Sequence, residues 1–196
     1  LVRSRGLGDV YKRQVLDLLD PADILTHPFH ARIGNVLQAD GKATPALWAA
    51  VERGVCFDVG HGRNMFSIRM YRMLTDLGFH EFLIGSDVNT GCVNGPVFDL
   101  MTTMTKFLAL GLASLDIIRR VTTLPARALR RENDIGCLRV GGEADITVLD
   151  LRDTQRILHD SEGEAIPTRQ EFCPRLVVRA GRVLSIAPGG DQGGLA

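Results

Sequence analysis

Three residues of metal-ligand type each close a short apolar run: His27 after Ile24-Leu-Thr26, His61 after Val55-Cys-Phe-Asp-Val-Gly60, and Asp87 after Phe82-Leu-Ile-Gly-Ser86. Two imidazoles and a carboxylate suit zinc, manganese or iron(II), and a site with open coordination positions lowers the pKa of a bound water toward neutrality. Hydrolysis is the chemistry that such a set serves. In that scheme Asp87 binds metal through one oxygen, takes the proton of the attacking water with the other, and later gives it to the leaving amine. Singly, each residue has a plainer role: His27 in a core, His61 bonding a carbonyl, Asp87 capping the turn that follows. The metal reading rests on their joint placement.

That placement is set by the elements between them. Pro21-Ala-Asp23 makes a turn into the strand Ile24–Thr26, and Thr44-Pro45 through Arg53 has a helix N-cap, a proline at the first helical position and Gly54 as a stop. Gly54–Gly62 then reads as a buried strand, with Gly60 and Gly62 leaving room beside the His61 ring. Ser67–Leu77 puts Ile68, Tyr71, Leu74 and Leu77 on one helical face and ends at Gly78, before a third strand at Phe82–Ile84. Strands alternating with helices indicate an α/β fold with a parallel sheet, in which functional residues collect at the carboxyl ends of the strands. His27, His61 and Asp87, separated by 34 and 26 residues, would share one rim.

The loop Val88–Pro96 is expected to hang over that rim, and Arg63 and Asn94 are the polar residues placed to contact a substrate carboxylate or carbonyl. Asp99 caps a helix whose core stripe is Leu100, Met104, Phe107 and Leu108. A further helix from Ser114 is expected to turn Leu115, Ile118 and Val121 inward, followed by a helical turn over Pro125–Arg131. The pattern changes at Ile135. Cys137–Gly142 and Ala144–Asp150 read as short strands, Asp153–Pro174 as a polar loop, and Arg175–Ile186 as a hairpin turning at Ala180-Gly181. The expected organisation is a basic, unpatterned segment 1–14 set aside as a scar, an α/β unit over 15–134, a β unit over 135–187 and a disordered tail over 188–196.

Composition excludes several classes. Acidic and basic residues number 23 each, without a basic patch, so no nucleic-acid partner is expected. No apolar run is long enough to cross a bilayer, so no membrane partner is expected either. Cys56, Cys92, Cys137 and Cys173 are dispersed, which suggests buried thiols in a reducing compartment, the cytoplasm, and not a zinc knuckle or a disulfide framework. His30, His80 and His159 are read as peripheral to the site.

From Ile24 to Ile186 the sequence resembles the amidohydrolase superfamily, metal-dependent hydrolases on a (β/α)8 TIM-type barrel with a small β-sandwich attached. His27 in ILTHPFH is similar to the ligand of the family's fifth barrel strand, His61 in FDVGHG to that of the sixth, and Asp87 in LIGSD to the late-strand aspartate that is both ligand and general base. IGCLRVGGEADITVLDL resembles the family's re-entry into the sandwich, and PRLVVRAGRVL its closing hairpin. DVGHG followed by GPVFDLMTTMTKFLALG is most similar to the dihydroorotase-like amidohydrolase/deacetylase branch. The resemblance implies removal of acyl groups from N-acyl amino acids or related small-molecule amides through a metal-activated water. Zinc is the metal expected, as one or two ions, and a homo-oligomer is compatible with it. A dihydroorotase-like cyclic amidase is the neighbouring alternative, and a non-catalytic barrel homologue acting as an assembly partner is the alternative of another class.

The family's H-x-H pair and its bridging, strand-end lysine have no counterpart here, since Lys12 is in the segment set aside, Lys42 in a loop and Lys106 in a helix. The chain is therefore expected to be the C-terminal portion of a longer enzyme, holding metal weakly and prone to aggregate or stay loose by itself. A barrel cut before its fifth strand exposes a parallel edge and apolar interior.

Overall fold

The computed structural model describes residues 14–185. The tail 188–196 and the segment 1–14, apart from Gln14, lie outside those residues. Gln14 begins a short helical stretch over residues 14–18.

Strand β1 (Ile24–Thr26) and strand β2 (Cys56–Asp58) pair in parallel, with Leu25 opposite Phe57. Helix α1 (Pro45–Arg53) makes the crossover: Thr44 caps it from an extended backbone, and Gly54, left-handed at φ 86°, ends it. Glycine takes that conformation without a Cβ clash, which explains why the helix stops there. Helix α2 (Ile68–Asp76) leads to the third parallel run, where only Leu83 makes a ladder bridge, opposite Asp58. The full strand expected over Phe82–Ile84 is thus reduced to a bridge. Its backbone bonds nonetheless continue past it: Val59 N–H donates to Leu83 O (3.0 Å), His61 N–H to Gly85 O (3.1 Å) and Gly62 N–H to Ser86 O (3.0 Å). The central run is therefore β2, with β1 on one side and residues 83–86 on the other.

An aromatic cluster under this sheet supplies the core. Phe29 meets Phe66, Tyr71, Phe79 and Phe82 edge-on, and Phe107 joins from helix α3 (Leu100–Ala109). Edge-to-face contacts of this kind add roughly 0.5–1.5 kcal/mol each beyond area burial. Helix α4 (Ser114–Val121) buries Ile117 and leaves Leu115 77% exposed, which corrects the expected inward face. The inward positions run Ser114, Ile117, Ile118 and Val121, so Leu115 falls about 100° away from that stripe. Helix α5 (Thr123–Ala128) follows directly.

The C-terminal part is antiparallel: β3 (Ile146–Asp153), β6 (Gln170–Arg179) and β7 (Arg182–Ser185) form one sheet, and β4 (Ile157–His159) with β5 (Ala165–Pro167) a hairpin. The turn between β6 and β7 sits at Ala180 and Gly181, both at positive φ. Two expectations are corrected. Residues 137–142 form turns and not a strand, because Gly141 is left-handed and the apolar residues there lack a partner strand among the described residues. Residues 153–174, expected as loop, hold β4, β5 and the start of β6; their stretches are too short to show periodicity, and pairing with each other or with β3 fixes them.

The hairpin clasps the α/β part. Asp160, just beyond β4, accepts from Ile68 N–H (2.9 Å) at the start of α2, where Ser67 makes no side-chain cap. Ser161 N–H donates to Phe66 O (2.9 Å) and its hydroxyl accepts from Phe66 N–H (3.3 Å). Phe172 N–H donates to Thr105 Oγ1 (3.1 Å) on α3. Among the described residues no helix is long and apolar enough to cross a membrane.

Candidate functional site

Each of the three parallel runs ends in a left-handed residue. His27 has φ 67°, Asp87 φ 47°, and Gly60 and Gly62, flanking His61, φ 46° and 47°. For the two non-glycine residues this conformation costs about 1–2 kcal/mol. Such strain persists where the surroundings over-determine it, and it clusters at functional sites. The three ends are adjacent because the runs pair in parallel.

His27 Nδ1 lies 2.7 Å from Gly60 O, so that nitrogen carries the proton and donates it, leaving Nε2 with its lone pair. His61 is fully buried, and its Nδ1 donates to Gly62 O at 2.9 Å, again leaving Nε2 as the acceptor. The Phe66 ring packs on the imidazole at 5.0 Å. The glycines are required by contact as well as by φ. A Cβ on Gly60 would collide with Thr26 Oγ1 and come within 2.7 Å of His27 Nδ1, and a Cβ on Gly62 would collide with Asp87 Oδ2. The Asp87 carboxylate therefore lies directly against the backbone beside His61. Asp58, in β2, receives a hydrogen bond from Thr26 Oγ1 (3.3 Å); burial raises its carboxyl pKa, against the lowering effect of that bond.

Lys106 reaches the same place from α3. Its Nζ is 2.7 Å from His61 Nε2 and donates to Pro96 O at 2.7 Å, and the side chain is fully buried. Burial lowers the Lys106 pKa to about 7, partly opposed by the Asp160 carboxylate. Burial, and next the Lys106 charge, lower that of His61 to about 4, so the imidazole is neutral near pH 7.

The expected ligands His27, His61 and Asp87 thus end three adjacent parallel runs, His61 buried, His27 half-buried and Asp87 exposed. Both imidazoles have Nδ1–H tied to a carbonyl, as metal-ligating histidines do, but His61 Nε2 is met by Lys106 Nζ. Among the described residues, however, no three His, Cys, Asp or Glu side chains stand close enough together to hold a metal ion. Arg63 and Asn94, the expected substrate contacts, are both exposed, Arg63 with its chain beside Gly91. Sequence reasoning missed Asp58, Phe66, Asp160 and above all Lys106. One signal was available: Lys106 is the only charged residue in the ten of α3, which marks that helix as buried on most of its surface.

Residues 52–184 match the amidohydrolase family. The chain belongs to that family. It is 31% identical over 180 residues to a deacetylase of Enterococcus faecalis, covering 91% of this chain and 48% of the relative. With the deacetylase Atu3266 of Agrobacterium fabrum it shares 32% identity over 165 residues, 84% of this chain and 40% of that one. Two solved structures are similar. One is described as an adenine deaminase (30% identity, TM-score 0.83, 89% of this chain and 48% of the other). The other is described as a dihydroorotase (32% identity, TM-score 0.76, 88% and 46%). The chain spans about half the length of the curated relatives it matches. Family membership and these folds fit the three parallel runs with part of a metallohydrolase barrel.

Proposed function

We infer that this chain carries part of the active site of an amide hydrolase that deacylates N-acyl amino acids or related small molecules. The observation that carries the inference is the arrival of His27, His61 and Asp87 at the ends of three adjacent parallel runs, with both imidazoles tied through Nδ1 to Gly60 and Gly62 carbonyls. The deacetylase names of the relatives support removal of an acyl group as the reaction. His27, His61 and Asp87 are the donors this chain would contribute to a divalent ion, for which zinc suits their chemistry; among the described residues they do not by themselves stand close enough to hold one, and His61 Nε2 meets Lys106 Nζ. Such an ion supplies Lewis acidity to the water and to the scissile carbonyl.

The chain's own residues do the rest. Asp87, exposed at the rim and strained in the left-handed region, takes the proton of the attacking water and returns it to the departing amine. Gly62 keeps the space that the Asp87 carboxylate needs. Arg63 and Asn94 are exposed and available to a substrate carboxylate or carbonyl.

The test is Asp87→Asn in the zinc-loaded protein carrying this segment, assayed by acetate release from N-acetyl amino acids. Turnover falls at least a thousandfold while most of the zinc stays bound; an unchanged kcat would remove Asp87 from the role of base. The dihydroorotase among the structural neighbours supports a second reading, a cyclic amidase, which the same assay separates by ring opening of dihydroorotate.

A further inference from the structure

Asp87 directly follows the outer run of the parallel sheet. Backbone groups of an extended run point alternately to its two sides. Leu83 spends both of its groups on β2, donating to Phe57 O (2.6 Å) and accepting from Val59 N–H (3.0 Å), and Gly85 O accepts from His61 N–H (3.1 Å). Phe82 and Ile84 therefore turn their groups to the opposite side, where the described residues place no strand. An open edge of this kind leaves backbone donors and acceptors in need of partners.

Arg120 supplies them. From α4 its Nη1 donates to Phe82 O (2.6 Å) and its Nη2 to His80 O (2.7 Å), while its own carbonyl accepts from Ile84 N–H (3.1 Å). The guanidinium lies over the Phe82 ring, 4.1 Å from its centre, and Ile117, fully buried one turn earlier, seats the helix. Bonds from a charged donor are the stronger kind. Arg120 Nε is buried with no hydrogen-bond partner among the described residues, so aiming both Nη groups at carbonyls leaves one donor unmet.

We propose that Arg120 is a positioning residue for Asp87: it stands in the place of a neighbouring strand, fixes the outer run on β2, and so holds Asp87 against Gly62 beside His61. The proposal rests on the reading of Asp87 as a site residue given above. The path is short, because the next bonds along the run, His61 N–H to Gly85 O and Gly62 N–H to Ser86 O, lie immediately before Asp87. On the loop side, Asn89 Nδ2 (3.2 Å) and the Cys92 thiol (3.6 Å) donate to Asp87 O, so Arg120 governs the strand side of the residue.

The experiment compares the full chain with Arg120→Met, which keeps a side chain over Phe82 without its donors, and with Arg120→Lys, which keeps the charge. Two readouts are taken by NMR. One is native-state amide exchange at Ile84, His61 and Gly62, with Cys56, bonded to Asp23 O beside β1, as the control. The other is the Cα chemical shift of Asp87, which reports its left-handed backbone. Expected in Arg120→Met are exchange about tenfold faster or more at the three amides, a change of at most about twofold at Cys56, and an Asp87 shift moved toward extended values. Arg120→Lys falls between the two, and it carries the same comparison if Arg120→Met does not fold. Equal acceleration at Cys56 makes Arg120 a general stabiliser and overturns the proposal, as does an unmoved Asp87 shift. Neither readout involves turnover or a bound ion, so a fully active Asp87→Asn would remove Asp87 from the role of base and leave the hold of Arg120 on the run standing.

Discussion

Replacing Asp160 tests how the C-terminal hairpin is joined to the α/β part. One of its carboxylate oxygens accepts from Ile68 N–H at 2.9 Å, and the other accepts from Glu162 and Glu164 N–H, each at 2.8 Å. The residue is buried, so water does not simply replace it. Bonds to a charged acceptor are worth roughly 1.5–3 kcal/mol each, but three that share one carboxylate do not add, and about 3 kcal/mol is a reasonable total for Asp160→Ala. That corresponds to roughly a hundredfold change in a local opening equilibrium. Native-state amide exchange reads it directly: protection of Ile68, Glu162 and Glu164 falls about a hundredfold. Leu47, capped by Thr44 in the separate helix α1, changes little. Asp160→Asn keeps one acceptor oxygen and turns an NH2 toward the remaining donors, so its loss is intermediate. If exchange at Ile68 rises less than about threefold in Asp160→Ala, the side chain is not the cap of α2 and the coupling argument fails.

Two further expectations concern the rim. Gly60→Ala puts a methyl where Thr26 Oγ1 and His27 Nδ1 now lie, at a backbone φ of 46°. The left-handed conformation alone costs about 1–2 kcal/mol, so the variant is destabilised by at least that in urea unfolding, and zinc affinity falls as the His27 ring is displaced; an unaltered zinc affinity would refute the placement of His27. The folded-state pKa of His61, about 4, lies below the ordinary histidine value of 6.5, so the unfolded chain binds more protons between those values and stability drops as pH falls from 6.5 to 4. The shift corresponds to a loss of up to about 3 kcal/mol, measured as the denaturation midpoint against pH and absent from His61→Phe. The lowered Lys106 pKa acts in the same sense at higher pH, between 10.5 and about 7.

The sequence by itself determined the local pieces and the order in which they come. Thr44, Pro45 and Gly54 delimit α1, Asp99 caps α3 through Thr102 N–H, and Ala180-Gly181 turns the last hairpin, because capping and left-handed turns depend on residues close in the chain. Apolar runs ending in His27, His61 and Asp87 were legible for the same reason, and their common rim followed from the parallel topology. Motifs at those strand ends also carried the family, which residues 52–184 bear out. Pairing between distant segments was less legible. The β4–β5 strands are three residues each and take shape only against one another, and the inward face of α4 is selected by what it packs on, so Leu115 points outward. The Lys106–His61 contact was decided by tertiary structure alone. A lysine in a helix is solvated by default, and only the packing of α3 against β6 and the aromatic cluster carries this one into the interior to meet a histidine nitrogen.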